Sequence, residues 1–226
     1  MACIAAAEVS ERVDRLRRRI ADAGGDPARV TIVGVTKTFG PDVVRAAMAA
    51  GMRDLGENYA GELAAKARAA EEMGLAPRWH FIGAIQRNKV RSVAPDVHLW
   101  HGVARAEEGA EIARWSPGAA VLVQVNVSGE ATKNGVPPGH VADLVSRLVD
   151  VGLDVRGLMG IAAQGQAEAA RGGFRMLADT ARELELAELS MGMTDDIEVA
   201  VQEGATMVRV GRALFGPRRS RPGLRE

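Results

Sequence analysis

The chain reads as a single (β/α)₈ barrel, and three observations point there. Short apolar segments alternate with amphipathic ones from end to end, with no block of strands or helices alone, which favours a parallel sheet. The strand-like segments number eight, the count of a closed barrel. The length, 226 residues, suits one such barrel of roughly 200–250 residues. A doubly wound open sheet is the competing arrangement. No Gly/Ser/Pro-rich linker splits the chain, so residues 1–226 are expected to form one domain.

An extra helix comes first. Val13, Leu16 and Ile20 recur at helical spacing within Val9–Ala23, and Gly24-Gly25 ends the run. The apolar run Val30–Thr36 is the first strand. Pro41, a favourable first helical residue, opens a helix that Gly51 closes. The strand Arg53–Gly56 precedes a helix over Ala60–Met73, and the strand Trp79–Gly83 precedes one over Gln86–Val93. Val97–Gly102 and Ala106–Arg114 form the next pair. The strongly apolar Ala120–Val127 is the fifth strand, followed by the helix Val141–Val151. Val155–Ile161 leads to a long helix, Gln166–Glu185. Leu189–Met193, a short helix Ile197–Glu203 and Met207–Val210 complete the pattern.

Lys+Arg and Asp+Glu are 29 each, so the net charge is zero and neither nucleic acid nor an anionic membrane is indicated as a partner. The basic tail residues Arg218, Arg219, Arg221 and Arg225 read as solvated. Cys3 is the only cysteine, which excludes a disulfide framework and a Cys-rich zinc site. The histidines His80, His98, His101 and His140 match no metal motif, and structural roles are expected for His98 and His101. No apolar run approaches the ~18 residues of a membrane span. The stretch Ala2–Ala7 lacks the basic region of a signal peptide. A cytoplasmic location is expected.

In such barrels the chemistry sits at the C-terminal ends of the strands. The first strand ends in Lys37, an amine at the rim of a core. Desolvation there favours the neutral amine, which can form a Schiff base with a carbonyl. A lysine that simply turns to solvent is the plainer reading. The second strand ends at Asn58 and the sixth at Met159-Gly160. The loops after strands seven and eight are a frequent phosphate site. Here they carry Ser190, Gly192, Thr194 and Asp195, then Arg209, Gly211 and Arg212. Glycines let backbone N–H groups approach an anion, hydroxyls add donors and arginines add charge. Asp195 is expected to cap the short helix that follows. Gly34-Val35-Thr36-Lys37-Thr38 lacks the glycine that a P-loop needs before its lysine. A rim lysine with a phosphate cradle matches pyridoxal 5′-phosphate, which has an aldehyde at one end and a phosphate at the other.

Five motifs then carry a resemblance over Val9 to Gly216. They are Val35-Thr36-Lys37-Thr38; Leu55-Gly56-Glu57-Asn58-Tyr59; Trp79-His80-Phe81-Ile82-Gly83 with Gln86 and Asn88-Lys89; Arg156-Gly157-Leu158-Met159; and Leu189-Ser190-Met191-Gly192-Met193-Thr194 with Thr206-Met207-Val208-Arg209-Val210-Gly211. The chain resembles the pyridoxal phosphate homeostasis proteins, the alanine racemase N-terminal-like family. The resemblance implies one barrel that holds pyridoxal phosphate as an internal aldimine on Lys37. Asn58 and Met159 fall beside the cofactor ring. Ser190, Gly192, Thr194 and Gly211 fall on the phosphate segments. Arg209 falls near the cofactor, at its ring nitrogen or its phosphate, and Lys133 lies near the pocket mouth. The sequence departs from the family at Ala84, at Arg212 and in the ending Phe215-Gly216-Pro217-Arg218-Arg219-Ser220.

The resemblance implies a carrier in vitamin B6 homeostasis rather than an enzyme. Its partners would be the cofactor and the apo-forms of enzymes that use it, and a monomer is expected. An amino-acid racemase needs acid/base groups on both faces of the substrate carbon. Related racemases take one, a tyrosine, from a second domain for which no room is expected after Gly216. The only tyrosine here is Tyr59. A racemase, and a barrel enzyme acting on a small phosphate ester, are the alternatives.

Overall fold

The alternation of apolar strands with half-apolar helices closes into a barrel of eight parallel strands in sequential order. The computed structural model describes residues 4–128, 134–162 and 165–217. Lys133 and the basic tail lie outside the described residues. Helix α1 (Ala6–Asp22) precedes β1 (Thr31–Val35), α2 (Asp42–Ala49), β2 (Asp54–Glu57), α3 (Ala60–Glu72) and β3 (Arg78–Phe81). Then follow α4 (Arg87–Val90), β4 (Val97–Val103), α5 (Ala106–Trp115), β5 (Ala120–Val125), α6 (Val141–Asp150) and β6 (Asp154–Gly160). The chain continues with α7 (Arg171–Glu183), β7 (Glu188–Ser190), α8 (Ile197–Gln202), β8 (Met207–Val210) and α9 (Arg212–Phe215). Pairing of β1 with β8, from Thr31 opposite Met207 to Gly34 opposite Val210, closes the cylinder.

Two cores follow from the two-residue period of strands. One lies between strands and helices and includes Leu55, Phe81, Val121, Val123 and Leu158. A smaller one, Leu99, Ala120, Leu122, Met159 and Met207, is separate from it and lies on the inward face of the strands. Helix α1 buries Val9, Val13, Leu16 and Ile20, the expected stripe.

Most expected elements shift by one to three residues at their ends, the fourth helix shortening to Arg87–Val90, and three elements differ for a clear local reason. The seventh strand ends at Ser190 because Gly192 takes φ +91°, outside extended geometry. The fifth ends at Val125 because the Asn126 N–H turns to the Val136 carbonyl at 2.9 Å. The expected helix Gln166–Glu185 divides. Gln166 is extended, Ala167–Ala170 forms a 3₁₀ turn, and α7 runs only to Glu183, with Glu185 at φ +56°.

Candidate cofactor site

A cavity of about 580 Å³ opens at the C-terminal end of the strands, within the size range of small-molecule sites. Lys37, Asn58, Thr194, Arg209 and Gly211 line it together. Ile82, Met193, Asp195, Asp196 and Arg212 complete much of its wall. Two expected residues stand behind the wall. Ser190 is buried and accepts from Arg209, and Gly192 receives the Arg209 backbone N–H on its carbonyl at 2.9 Å. Met159 is fully buried in the barrel interior rather than on the cavity surface.

Lys37 follows β1 and is held by its neighbours in the chain. Lys66, buried on α3, donates to the Thr36 carbonyl at 2.6 Å. The Thr38 N–H, at a left-handed φ of +70°, donates to Glu62 Oε2 at 2.8 Å. Lys66 also pairs with buried Glu57 and lies 3.5 Å from Glu62. Thr36 Oγ1 donates to Glu57 Oε1 at 2.6 Å. Burial pushes the Glu57 carboxyl up, opposed by Lys66 and Thr36. The peptide groups on both sides of Lys37 are therefore anchored to one buried charged cluster.

Arg209 is the buried cation of the site. Its guanidinium donates to the Ser190 carbonyl (2.7 Å), Ser190 Oγ (2.6 Å) and the Gly160 carbonyl (2.8 Å). Burial pushes its pKa down to about 10, opposed by Asp196. The group thus stays charged at neutral pH, with neutral acceptors where a carboxylate would be expected. An anionic or electron-rich ligand in this cavity meets a charge-assisted donor in a dry wall.

Helix α1 braces the two loops. Arg19 makes a two-pronged contact with Glu198, at 2.6 and 2.8 Å, and donates to the Thr194 carbonyl at 3.0 Å. Arg12 donates to the Leu214 carbonyl at 2.9 Å. A Cβ on Gly192 would come within 2.6 Å of Ala200 Cβ, so the β7 loop packs on α8 only without a side chain there. At Gly83 a Cβ would collide with the Asn58 backbone, so the bare glycine lets the β3 end press on Asn58.

The expected cap at Asp195 is corrected. Asp196 stands at the N-terminal boundary of α8, and its side chain accepts the Met193 N–H. Asp195 is one residue too early and extends outwards to Arg212, 3.1 Å away. Sequence reasoning missed Lys66, Glu57, Glu62 and Arg19. The four-residue spacing of Glu62 and Lys66 was visible, but their burial was not. Among the described residues no cluster of His, Cys, Asp or Glu could hold a metal ion, and no helix is long and apolar enough to cross a membrane.

Comparison with known proteins fits this geometry. Residues 4–219 match the family model "Alanine racemase, N-terminal domain". The pyridoxal phosphate homeostasis protein of Pseudomonas aeruginosa is 41% identical, with 94% of this chain and 95% of that protein covered. The Escherichia coli protein of the same name is 34% identical, with 93% and 97% covered. Among solved structures, PipY of Synechococcus elongatus with pyridoxal phosphate bound superimposes with a TM-score of 0.78 at 31% identity, covering 92% of this chain and all of that one. An unknown protein from Bifidobacterium adolescentis reaches a TM-score of 0.84 at 34% identity, with 93% and 95% covered. Lysine decarboxylase from Selenomonas ruminantium shares the fold alone, at 17% identity, a TM-score of 0.73 and coverage of 93% and 62%. The chain belongs to the alanine racemase N-terminal domain family and, within it, to the pyridoxal phosphate homeostasis proteins.

Proposed function

We propose that this chain holds pyridoxal 5′-phosphate in the cavity between Lys37 and Arg209, and that it stores and hands on the cofactor without turning over an amino acid. The observation that carries the reading is that a rim lysine and a buried arginine, hydrogen-bonded to neutral oxygens of Ser190 and Gly160, share one cavity with Thr194 and Gly211. The residues fit the group. Lys37 would hold the aldehyde end. Thr194, Arg212 and the glycine-containing loops at Gly192 and Gly211 would take the phosphate, with Ser190 acting behind them. Asn58 would lie beside the ring, with Met159 packed beneath the cavity floor. When bound, the cofactor supplies an aldehyde that condenses reversibly with amines, so it can be both held and released.

The protein's own groups favour holding over turnover. Among the described residues, the titratable side chains lining the cavity are Lys37, Asp195, Asp196, Arg209 and Arg212. Asp195 is turned to Arg212, and Asp196 receives a backbone N–H. Tyr59, half exposed, lines the neighbouring cavity instead. No histidine or tyrosine of the described lining residues faces Lys37 as a second acid/base group, which a racemase needs. Arg209 has donors only, so it does not hold a proton on a pyridine nitrogen. Recipients would be apo-enzymes that require the cofactor.

The test is to incubate cofactor-loaded protein with L-alanine or L-lysine in deuterated water, and separately with an apo-enzyme. Retained Cα hydrogen, no D-isomer and restored activity of the apo-enzyme support the carrier. Steady Cα exchange would establish the racemase alternative.

A further inference from the structure

A line of hydrogen bonds crosses the inside of the barrel and ends on Arg209. Asp54 opens β2 at the opposite rim, where its Oδ2 accepts from Arg78 Nη2 at 2.6 Å. Asp54 Oδ1 lies 3.0 Å from His80 Nε2 on β3. His80 Nδ1 lies 2.8 Å from His101 Nε2 on β4. His101 Nδ1 lies 2.8 Å from Ser190 Oγ on β7. Ser190 Oγ accepts from Arg209 Nη1 on β8 at 2.6 Å. His80, His101, Ser190 and Arg209 are all buried, so bulk water does not compete for these bonds.

With both rings neutral, the carboxylate end fixes the direction. A guanidinium only donates and a carboxylate only accepts. Asp54 takes the His80 Nε2 proton, so a neutral His80 accepts on Nδ1 from His101 Nε2. A neutral His101 accepts the Ser190 hydroxyl proton on Nδ1, while a Ser190 lone pair takes the Arg209 N–H. Every link is satisfied in this one direction. Burial keeps His101 well below the usual imidazole range, with His80 and Arg209 acting the same way, which agrees with a neutral ring.

We propose that Asp54, His80 and His101 are positioning residues for Arg209. They set the tautomers that turn a Ser190 lone pair towards the guanidinium, and so fix the cation at the cofactor cavity from the far rim of the barrel. This rests on the reading that the cavity takes pyridoxal phosphate.

Asp54→Asn tests the direction with little change of shape. Arg78 demands an oxygen at the outer position, so the amide nitrogen falls opposite His80 Nε2 and donates to it. His80 must then protonate on Nδ1, His101 follows, and Ser190 Oγ receives N–H groups from both sides. The measurement is the nitrogen-15 spectrum of the histidine rings in cofactor-free protein, paired with titration of pyridoxal phosphate. The wild type is expected to show both rings as Nε2–H, and D54N both as Nδ1–H. Cofactor affinity in D54N is expected to fall roughly threefold to tenfold, the worth of about one net hydrogen bond.

A wild-type His101 protonated on Nδ1 overturns the proposal without any variant having to fold. So does D54N with unchanged tautomers, or with switched tautomers and unaltered cofactor affinity. Wild-type protein with the expected tautomers but no binding of pyridoxal phosphate overturns the cofactor reading, and with it the purpose of the chain, while leaving its direction established.

Discussion

Replacing Lys66 with methionine isolates the charged cluster behind Lys37. Both partners of the ion pair are almost fully buried, with side chains 3% and 0% exposed for Lys66 and Glu57. Methionine fills most of the lysine stem and removes the charge. Glu57 is then left with Thr36 alone, on the same oxygen Oε1 that Lys66 had held. The other oxygen, Oε2, has no hydrogen-bond partner among the described residues. Breaking one side of a buried pair destabilises by about 3–5 kcal/mol. For a chain of this length that lowers Tm by roughly 6–20 °C.

The loss should depend on pH in a defined sense. Burial already raises the Glu57 pKa, and Lys66 opposes that rise, so K66M raises it further. A group whose folded pKa lies above its unfolded value contributes stability below the unfolded pKa and loses it as pH rises through the folded one. K66M is therefore most destabilised at alkaline pH and recovers as pH falls towards 5. The assay is urea unfolding of wild type and variant at pH 8 and pH 5. Equal destabilisation at both pH values, or a loss below about 1 kcal/mol at pH 8, would refute the reasoning. Cofactor affinity should fall in parallel, because the Thr36 carbonyl loses its donor next to Lys37.

Arg19→Ala removes the brace on Glu198 and the Thr194 carbonyl. The pair is part-exposed, so stability should fall by only about 1 kcal/mol, while pyridoxal phosphate affinity drops roughly fivefold. Calorimetry beside a binding titration separates the two effects. Gly192→Ala combines a left-handed φ with a 2.6 Å approach to Ala200. It should destabilise by about 2–4 kcal/mol in urea unfolding. Asp54 feels burial raising its pKa, but hydrogen bonds from His80 and Arg78 outweigh it and hold the carboxyl low. A depressed carboxyl contributes stability above its unfolded pKa, about 3.9, and loses it as pH falls through the lower folded value. Acid unfolding between pH 5 and 2.5 should therefore be shallower in D54N than in the wild type.

Much of this arrangement was legible before the fold was known, because strand ends carry the chemistry of such barrels. Lys37, Asn58, Thr194, Arg209 and Gly211 could be picked out by position, and the structure puts them around one cavity. What was not legible depends on three-dimensional approach. Glu57 and Asp54 lie three residues apart on one strand, yet strand alternation sends Glu57 to α3 and Asp54 to His80. His101 and Ser190 are 89 residues apart and meet only across the closed barrel. No local spacing reports such a contact. Asp195 and Asp196 look equivalent in sequence, and a one-residue rotation of the turn before α8 decides which one accepts the backbone N–H. Met159 packs with Leu99, Leu122 and Met207, a grouping that follows from strand alternation across four strands and not from local spacing.

The central claim is that Lys37 holds pyridoxal phosphate. It is tested most directly by incubating the purified protein with the cofactor, reducing with borohydride and mapping labelled peptides by mass spectrometry. A single pyridoxyl adduct on Lys37 is expected, with Lys66 and Lys89 unlabelled, and no adduct at that position in Lys37→Ala. Label scattered over surface lysines, or an unmodified Lys37 in the wild type, would contradict it and return the cavity to the reading of a small phosphate-ester site.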